Sequence, residues 1–199
     1  MRRVVLATGN PGKLREMRAI LAGHELEVVP QSELGIGPPA EDGDTFVANA
    51  LIKARHASAQ SGLPAIADDS GLEVDALGGR PGLRSARYAG PGADERANNE
   101  RLLAELAGVP AERRGARYRC AMVFVRAAHD AAPVVAEAAW PGRIGFAARG
   151  AGGFGYDPYF IVDGDGRTAA EMPATEKDHA SHRGQALTAL AARMRAAGW

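Results

Sequence analysis

Apolar positions fall into two patterns along this chain, short unbroken runs and stretches with a helical period. "RVVLATGN" (3–10) is an apolar run ending in a turn, which predicts a buried strand. "GKLREMRAILAG" (12–23) follows, with Leu14, Met17 and Leu21 at helical spacing and Gly23 as a stop. "LEVVP" (26–30) predicts a second strand, and "GIGPPAEDGD" (35–44) a loop. Thr45 is placed to cap a helix over 46–60 that ends near Gly62. "PAIA" (64–67) and "LEVDAL" (72–77) predict two separate extended pieces, joined to the next helix by the Gly/Pro-rich 78–93. That helix, over 94–108, turns Leu102, Leu103 and Leu106 inward. Long extended segments at 117–127 and 133–145, separated by "AHDAA", suggest an antiparallel pair. A glycine-rich loop then runs into a strand over 150–162. A last helix over 181–197 puts Leu187, Leu190, Ala191 and Met194 on one face. The order predicts an α/β fold, a mixed twisted central sheet flanked by helices.

Composition narrows the function classes. The chain has 199 residues, 46% hydrophobic and 24% charged, as expected of one globular domain or two small lobes sharing a core. Lys+Arg and Asp+Glu are both 24, so no global charge draws it to nucleic acid or a membrane surface. No apolar run reaches membrane-spanning length, and the start is too short for a signal peptide, so a cytoplasmic location is expected. Cys120 is the single cysteine, which excludes an internal disulfide, and its apolar run reads as core. Only Lys13, Lys53 and Lys177 are lysines; every other Lys/Arg position is arginine. Lysine offers a compact point charge where arginine offers a planar fork.

Five stretches carry candidate chemistry. "TGNPGK" (8–13) sits between a strand and a helix, where backbone N–H groups meet an anion. It is not a Walker A loop, because the glycine spacing fails and Leu14 stands where Ser or Thr would bind magnesium. In "EDGDTFVANALIKA" (41–54), Glu41 precedes a helix on which Asn49 and Lys53 share a face. In "AIADDSGLEVDALGG" (65–79), Asp68, Asp69 and Ser70 end an apolar run. Neighbouring strand residues face opposite sides, so both aspartates reach one site only if the strand ends there and the backbone turns. Magnesium takes one or two carboxylates with water and phosphate oxygens, so Glu41 and one aspartate suffice. In "GGFGYDP" (152–158), glycines let a flat ligand approach, Phe154 is placed to stack on a base and Asp157 to bond its edge. In "EKDHASHRGQAL" (176–187), Lys177, His182 and Arg183 come together at a helix start, a cation cluster that an anion would explain. Each stretch alone also reads as ordinary turn, solvated face or core. Together, with all three lysines inside them, they describe a nucleoside triphosphate site.

At these stretches, with "LPAIADDSGLEVDALGGRPGLRSARYAG", the chain resembles the inosine/xanthosine triphosphate pyrophosphatase family, from the first strand into the last helix. The resemblance implies a single 1–199 domain of two lobes with an active-site cleft between them, and a homodimer. It implies magnesium-dependent hydrolysis of ITP, dITP and XTP to the monophosphate and pyrophosphate, by water attack at the α-phosphorus. Carried over, Thr8, Gly9, Asn10, Pro11, Gly12, Lys13, Lys53 and Lys177 hold the triphosphate. Glu41 and Asp69 serve the metal, Asp69 accepts the proton of the attacking water, and Ser70 lies beside it on the substrate. Phe154, Gly155, Tyr156, Asp157, His182 and Arg183 surround the base. A site of donors favours a 6-oxo purine over the 6-amino group of adenine. No residue in the sequence identifies itself as the one that rejects GTP.

Three alternatives are distinguishable. A Maf-type pyrophosphatase would act on modified pyrimidine nucleotides. A non-hydrolysing nucleotide-binding regulator would not need the acid set Glu41 and Asp69. A purely structural domain would not concentrate its lysines in these motifs.

Overall fold

The structure, a computed structural model, describes residues 2–199. Six strands form one sheet in the order β2-β1-β3-β4-β5-β6: β1 (Arg2–Leu6), β2 (Leu26–Pro30), β3 (Ala65–Val74), β4 (Gly115–Val125), β5 (Val134–Ile144) and β6 (Phe160–Val162). β1 is parallel to β2 (Val4 opposite Val28) and to β3 (Leu6 opposite Ile66), whereas β5 and β6 are antiparallel (Ile144 opposite Phe160). The helices are α1 (Pro11–Leu21), α2 (Phe46–Ser61), α3 (Glu95–Glu105), α4 (Ala174–Ala180) and α5 (His182–Ala196). This is the predicted mixed α/β sheet with flanking helices.

The chain divides into two compact units. The first comprises residues up to Asp69, Cys120–Ala138 and Arg183–Trp199; the second comprises Ser70–Arg119 and Ala139–His182. In the first unit the strands alternate strictly. Val4, Leu6, Ile66, Met122 and Phe124 join a core with Met17 and Leu21 of α1 and Leu187, Leu190 and Met194 of α5. Val5, Ala7, Ala65, Ala67, Val123 and Val125 join a different core with Ala50, Ala54 and Ala57 of α2. The period-two alternation of strand side chains produces this division, so α1 and α5 cover one face and α2 the other. Small alanines on α2 and on the strands beneath it leave room for that helix to lie close.

β1 is flanked by β2 on one side and by β3 on the other, so the chain leaves β1 first to one side and later to the other. Such a switch point, at the carboxyl end of a parallel strand, is where open α/β sheets bind ligands. The second unit has its own core, with Leu72 and Val74 of β3 packed among Leu102, Leu106, Trp140, Ile144, Tyr156 and Phe160.

Two expectations change. "PAIA" and "LEVDAL" are not separate: β3 runs unbroken for ten residues through Asp68, Asp69, Ser70 and Gly71. The proposed helix start joining Lys177 to Arg183 is two helices, with Lys177 on α4 and Arg183 on α5. Cys120 is core, as expected, and burial pushes its thiol up to about 12, so it has no thiolate character. Among the described residues no helix is long and apolar enough to cross a membrane.

Candidate active site

The loop after β1 is built around the start of α1. Thr8 Oγ1 accepts from the Asn10 amide at 3.2 Å, and Asn10 Oδ1 caps the helix by accepting from the Lys13 amide at 3.0 Å. Pro11 occupies the first helical turn, where a missing N–H costs nothing. Gly9 borders open space, Asn10 is exposed, and the α1 N-terminus keeps its positive dipole end beside them. From the first turn, Lys13 Nζ pairs with Asp68 Oδ2 at 2.9 Å.

Because β3 does not end, Asp68 and Asp69 leave it on opposite faces. Asp68 follows the parity of Ile66 and meets the α1/α5 side. It pairs there with Lys13 and, at 3.4 Å, with Arg183, whose guanidinium is also hydrogen-bonded to buried Glu16. Burial works against the Asp68 anion, but Lys13, Arg183 and Lys53 outweigh it and hold the carboxyl far below the usual carboxylate range.

Asp69 follows Ala67 and meets α2. Asn49 Nδ2 donates to its Oδ2 at 3.1 Å, and Lys53 Nζ to its Oδ1 at 3.1 Å. Lys53 also reaches Glu41 Oε2 at 3.0 Å, so one ammonium bridges the two acids. The Glu41 loop is drawn onto α2 at Gly43, whose amide donates to Asn49 Oδ1 at 2.8 Å. A Cβ at Gly43 would stand 2.8 Å from both Ala48 Cβ and Asn49 Oδ1, so only glycine allows the approach. Burial pushes the Asp69 carboxyl above its ordinary value, and the Lys53 and Lys13 charges and the Asn49 hydrogen bond only partly offset this. Burial also acts against the Lys53 ammonium, but Asp68, Asp69 and Glu41 together raise its pKa.

The donor chemistry of this cluster fits magnesium. Lys13, Lys53 and Arg183 face Glu16, Glu41, Asp68 and Asp69, which leaves one carboxylate in excess. Among the described residues no group of three or more His, Cys, Asp or Glu side chains is arranged to hold a metal. The hard oxygens of Glu41 and Asp69 match an ion that draws most of its shell from water and phosphate.

The second unit gathers a different set. Asp157, 3% exposed, accepts from the Phe154 amide at 2.9 Å, from Lys177 Nζ at 2.6 Å and from Tyr118 Oη at 3.1 Å. At Gly153, with φ +72°, a Cβ would fall 2.0 Å from Asp157 Oδ2, so the tight turn depends on glycine. The Lys177 ammonium lies 4.9 Å from the centre of the Phe154 ring. His182 stacks on Tyr118, with ring centres 4.6 Å apart and planes 7° apart. The Gly155 carbonyl accepts from Asn99 Nδ2 at 2.9 Å. Tyr156 belongs to the core and donates its hydroxyl to the Ser85 carbonyl at 2.8 Å. Ser70, half-buried, is the first residue of this unit on β3.

The candidate residues therefore form two groups. Lys13 and Arg183, on Asp68, and Glu41, Lys53 and Asp69 form two neighbouring ion-pair clusters in the first unit. Phe154, Asp157, Lys177 and His182 share another cluster in the second. Lys177, expected with the other lysines, is engaged with Asp157 and Phe154. Arg183, expected at the base, is engaged with Asp68 and Glu16. Sequence reasoning missed Glu16, Tyr118 and Asn99, and it did not assign Asn49 to the site. Glu16 left a signal: it lies three residues after Lys13 and next to apolar Met17 on α1. Tyr118 left none, since an aromatic in a strand reads as core.

A family model described as the Ham1 family matches residues 4–193. The dITP/XTP pyrophosphatase of Methylococcus capsulatus is 60% identical over 195 residues, covering 98% of this chain and 97% of that protein. The solved structure of a HAM1 protein from Coxiella burnetii superposes with a TM-score of 0.90 at 43% identity, covering 98% of this chain and 99% of that one. A nucleoside-triphosphatase / dITP/XTP pyrophosphatase from Mycobacterium abscessus superposes with a TM-score of 0.74 at 43% identity, covering 94% and 98%.

Proposed function

The chain belongs to the Ham1 family, and on that premise we propose that it hydrolyses deaminated purine nucleoside triphosphates (ITP, dITP and XTP) to the monophosphate and pyrophosphate. Its class is a nucleoside triphosphate pyrophosphatase, a hydrolase. The observation that carries the mechanism is the division of the aspartate pair: Asp68 is locked among cations, while Asp69 is clamped by Asn49 and Lys53 with its carboxyl raised.

Asp69 is the proton acceptor. A carboxyl raised above its ordinary value holds a proton better, and Asn49 and Lys53 fix the direction of its oxygens. The attacking water gives its proton to Asp69 as its oxygen bonds to the α-phosphorus, and the bond to the β-phosphate oxygen breaks to release pyrophosphate. Lys13, Lys53 and the α1 N-terminus, through residues 8–13, bind the triphosphate and stabilise charge on the leaving oxygens. Glu41 and Asp69 would hold magnesium, which supplies charge neutralisation at the phosphates and acidification of bound water. Asp68 anchors Lys13 and takes no proton. Ser70, Lys177 and the Phe154–Asp157 loop serve the substrate. Phe154 stacks on the base, and His182 and Arg183 supply donors to its 6-oxo group. Arg183 is also engaged with Asp68 and Glu16, and His182 stacks on Tyr118. The working form is a cytoplasmic homodimer.

The test is product analysis of the purified protein with magnesium on ITP, dITP, XTP, GTP, ATP and TTP, scoring pyrophosphate and orthophosphate separately. The expected result is pyrophosphate from the 6-oxo purines ITP, dITP and XTP with ATP and TTP nearly inert. Orthophosphate would mean attack at the γ-phosphorus. Pyrophosphate chiefly from TTP would favour a pyrimidine site, and no turnover would favour a binding protein.

A further inference from the structure

The second unit carries another concentration of positive charge, on residues that the mechanism above does not use. Arg80, Arg84, Arg87 and Arg101 line, with Pro81 and Tyr88, a recess of about 410 Å³. Arg84 and Arg87 lie on a short 3₁₀ turn, Gly82–Arg87, where side chains three apart eclipse, so both leave the same face. Both are exposed, and among the described residues neither guanidinium makes an ion pair or hydrogen bond. The other two are fixed. Glu105 accepts from Arg80 at 2.7 Å, from Arg101 at 3.0 Å and from the Tyr88 hydroxyl at 2.7 Å. The Arg101 guanidinium also lies 4.9 Å from the centre of the Tyr88 ring.

Four guanidiniums against the single carboxylate of Glu105 leave about three positive charges around one recess, in a chain whose net charge is zero. Like charges gathered this way repel, and nothing in the core requires them there. A guanidinium fork matches the oxygens of a phosphate in pairs, and two forks on one face with two more held in place suit an anion carrying several charges. The volume is within the range of small-ligand sites.

We propose that this recess is a second anion site, which takes a diphosphate or triphosphate group, either free pyrophosphate or the tail of a nucleotide. Arg84 and Arg87 are the ligand-gripping pair, and Glu105 holds Arg80 and Arg101 in position. The proposal does not depend on Asp69 or on which nucleotide is hydrolysed.

Isothermal titration of the full-length protein with inorganic pyrophosphate, and separately with ATP, tests it. The wild type is expected to bind two pyrophosphates per chain, and the double variant Arg84→Ala/Arg87→Ala one, with at least a tenfold loss of affinity at the missing site. Lys13→Ala/Lys53→Ala is expected to lose the other site and keep this one, so a failure of the phosphate assignment in the first unit reads out separately. Arg96→Ala, which removes an exposed arginine of α3 paired with Glu100, is the charge control and should keep both. Binding of both probes with ATP tighter identifies a nucleotide tail; binding of pyrophosphate alone identifies the free anion. One pyrophosphate per wild-type chain that Arg84→Ala/Arg87→Ala still binds, or the same loss with Arg96→Ala, overturns the proposal. So does a halving of the light-scattering mass in Arg84→Ala/Arg87→Ala, which would assign the recess to a second copy of the chain.

Discussion

Each unit contains a buried lysine–aspartate pair, and the two pairs are set in opposite surroundings. Lys53 and Asp69, in the first unit, form with Glu41 a cluster in which acid is in excess, and they feel the charges of Asp68 and Lys13 nearby. Lys177 and Asp157, in the second, are surrounded by Phe154, Tyr118 and stacked His182. Excess carboxylate among point charges suits a metal and phosphates. An ion pair among flat rings has the surroundings expected for a base. The same pair of residue types thus sits in different surroundings, and the difference comes from what each unit packs around it.

The sharpest way to break the comparison is Asp69→Asn. Turnover of ITP should fall by about 10²–10⁴-fold, the usual contribution of a positioned base. Stability should fall by about 1–3 kcal/mol, because an amide has one acceptor oxygen for the two donors Asn49 and Lys53. In the wild type, kcat/KM should fall as pH drops through a value above the ordinary aspartate pKa of about 3.9. A pH–rate profile together with thermal melts checks all three.

Asp68→Ala should weigh more on stability. Removing one partner of a buried ion pair costs about 3–5 kcal/mol, read by denaturant unfolding. The folded carboxyl is depressed, so its stabilisation is complete above about pH 3.9 and is lost as pH falls below that toward the folded value. Melts of the wild type in that window should show this loss, and Asp68→Asn should lack it.

In the second unit, Asp157→Asn places an amide where three donors converge. Leaving one unpaired costs about 1–3 kcal/mol, expected as a 10–100-fold rise in KM for ITP with a smaller change in kcat. A kcat defect equal to that of Asp69→Asn would erase the distinction between the units. The smallest effect belongs to Thr45→Ala. Loss of the α2 cap, an acceptor 3.0 Å from the Ala48 amide, should cost about 1 kcal/mol, seen as a lower Tm with the substrate preference intact.

Most of the fold was legible in the sequence, because it rests on local periodicity. The parallel β1, α1 and β2 segments, the Thr45 cap and the buried face of α5 follow from residues adjacent in the chain. The candidate stretches were legible too, since three lysines in an arginine-rich chain single themselves out. β3 was misread because Asp-Asp-Ser-Gly looks like a strand end. Each aspartate in fact finds a partner on its own side of the sheet, so the backbone has no reason to turn.

The sequence alone determined the alternation that sends Asp68 and Asp69 to opposite faces once the strand continues, and it determined the caps and glycines that shape the loops around them. Only the tertiary structure decided which helix waits on each face. α1 and α5 bring Lys13 and Arg183 to Asp68, with Glu16 of α1 on Arg183, whereas α2 brings Asn49 and Lys53 to Asp69. Those partners lie from 16 to 115 residues away. A carboxylate's ionisation depends on the charges within a few ångströms of it, which no spacing along the chain records.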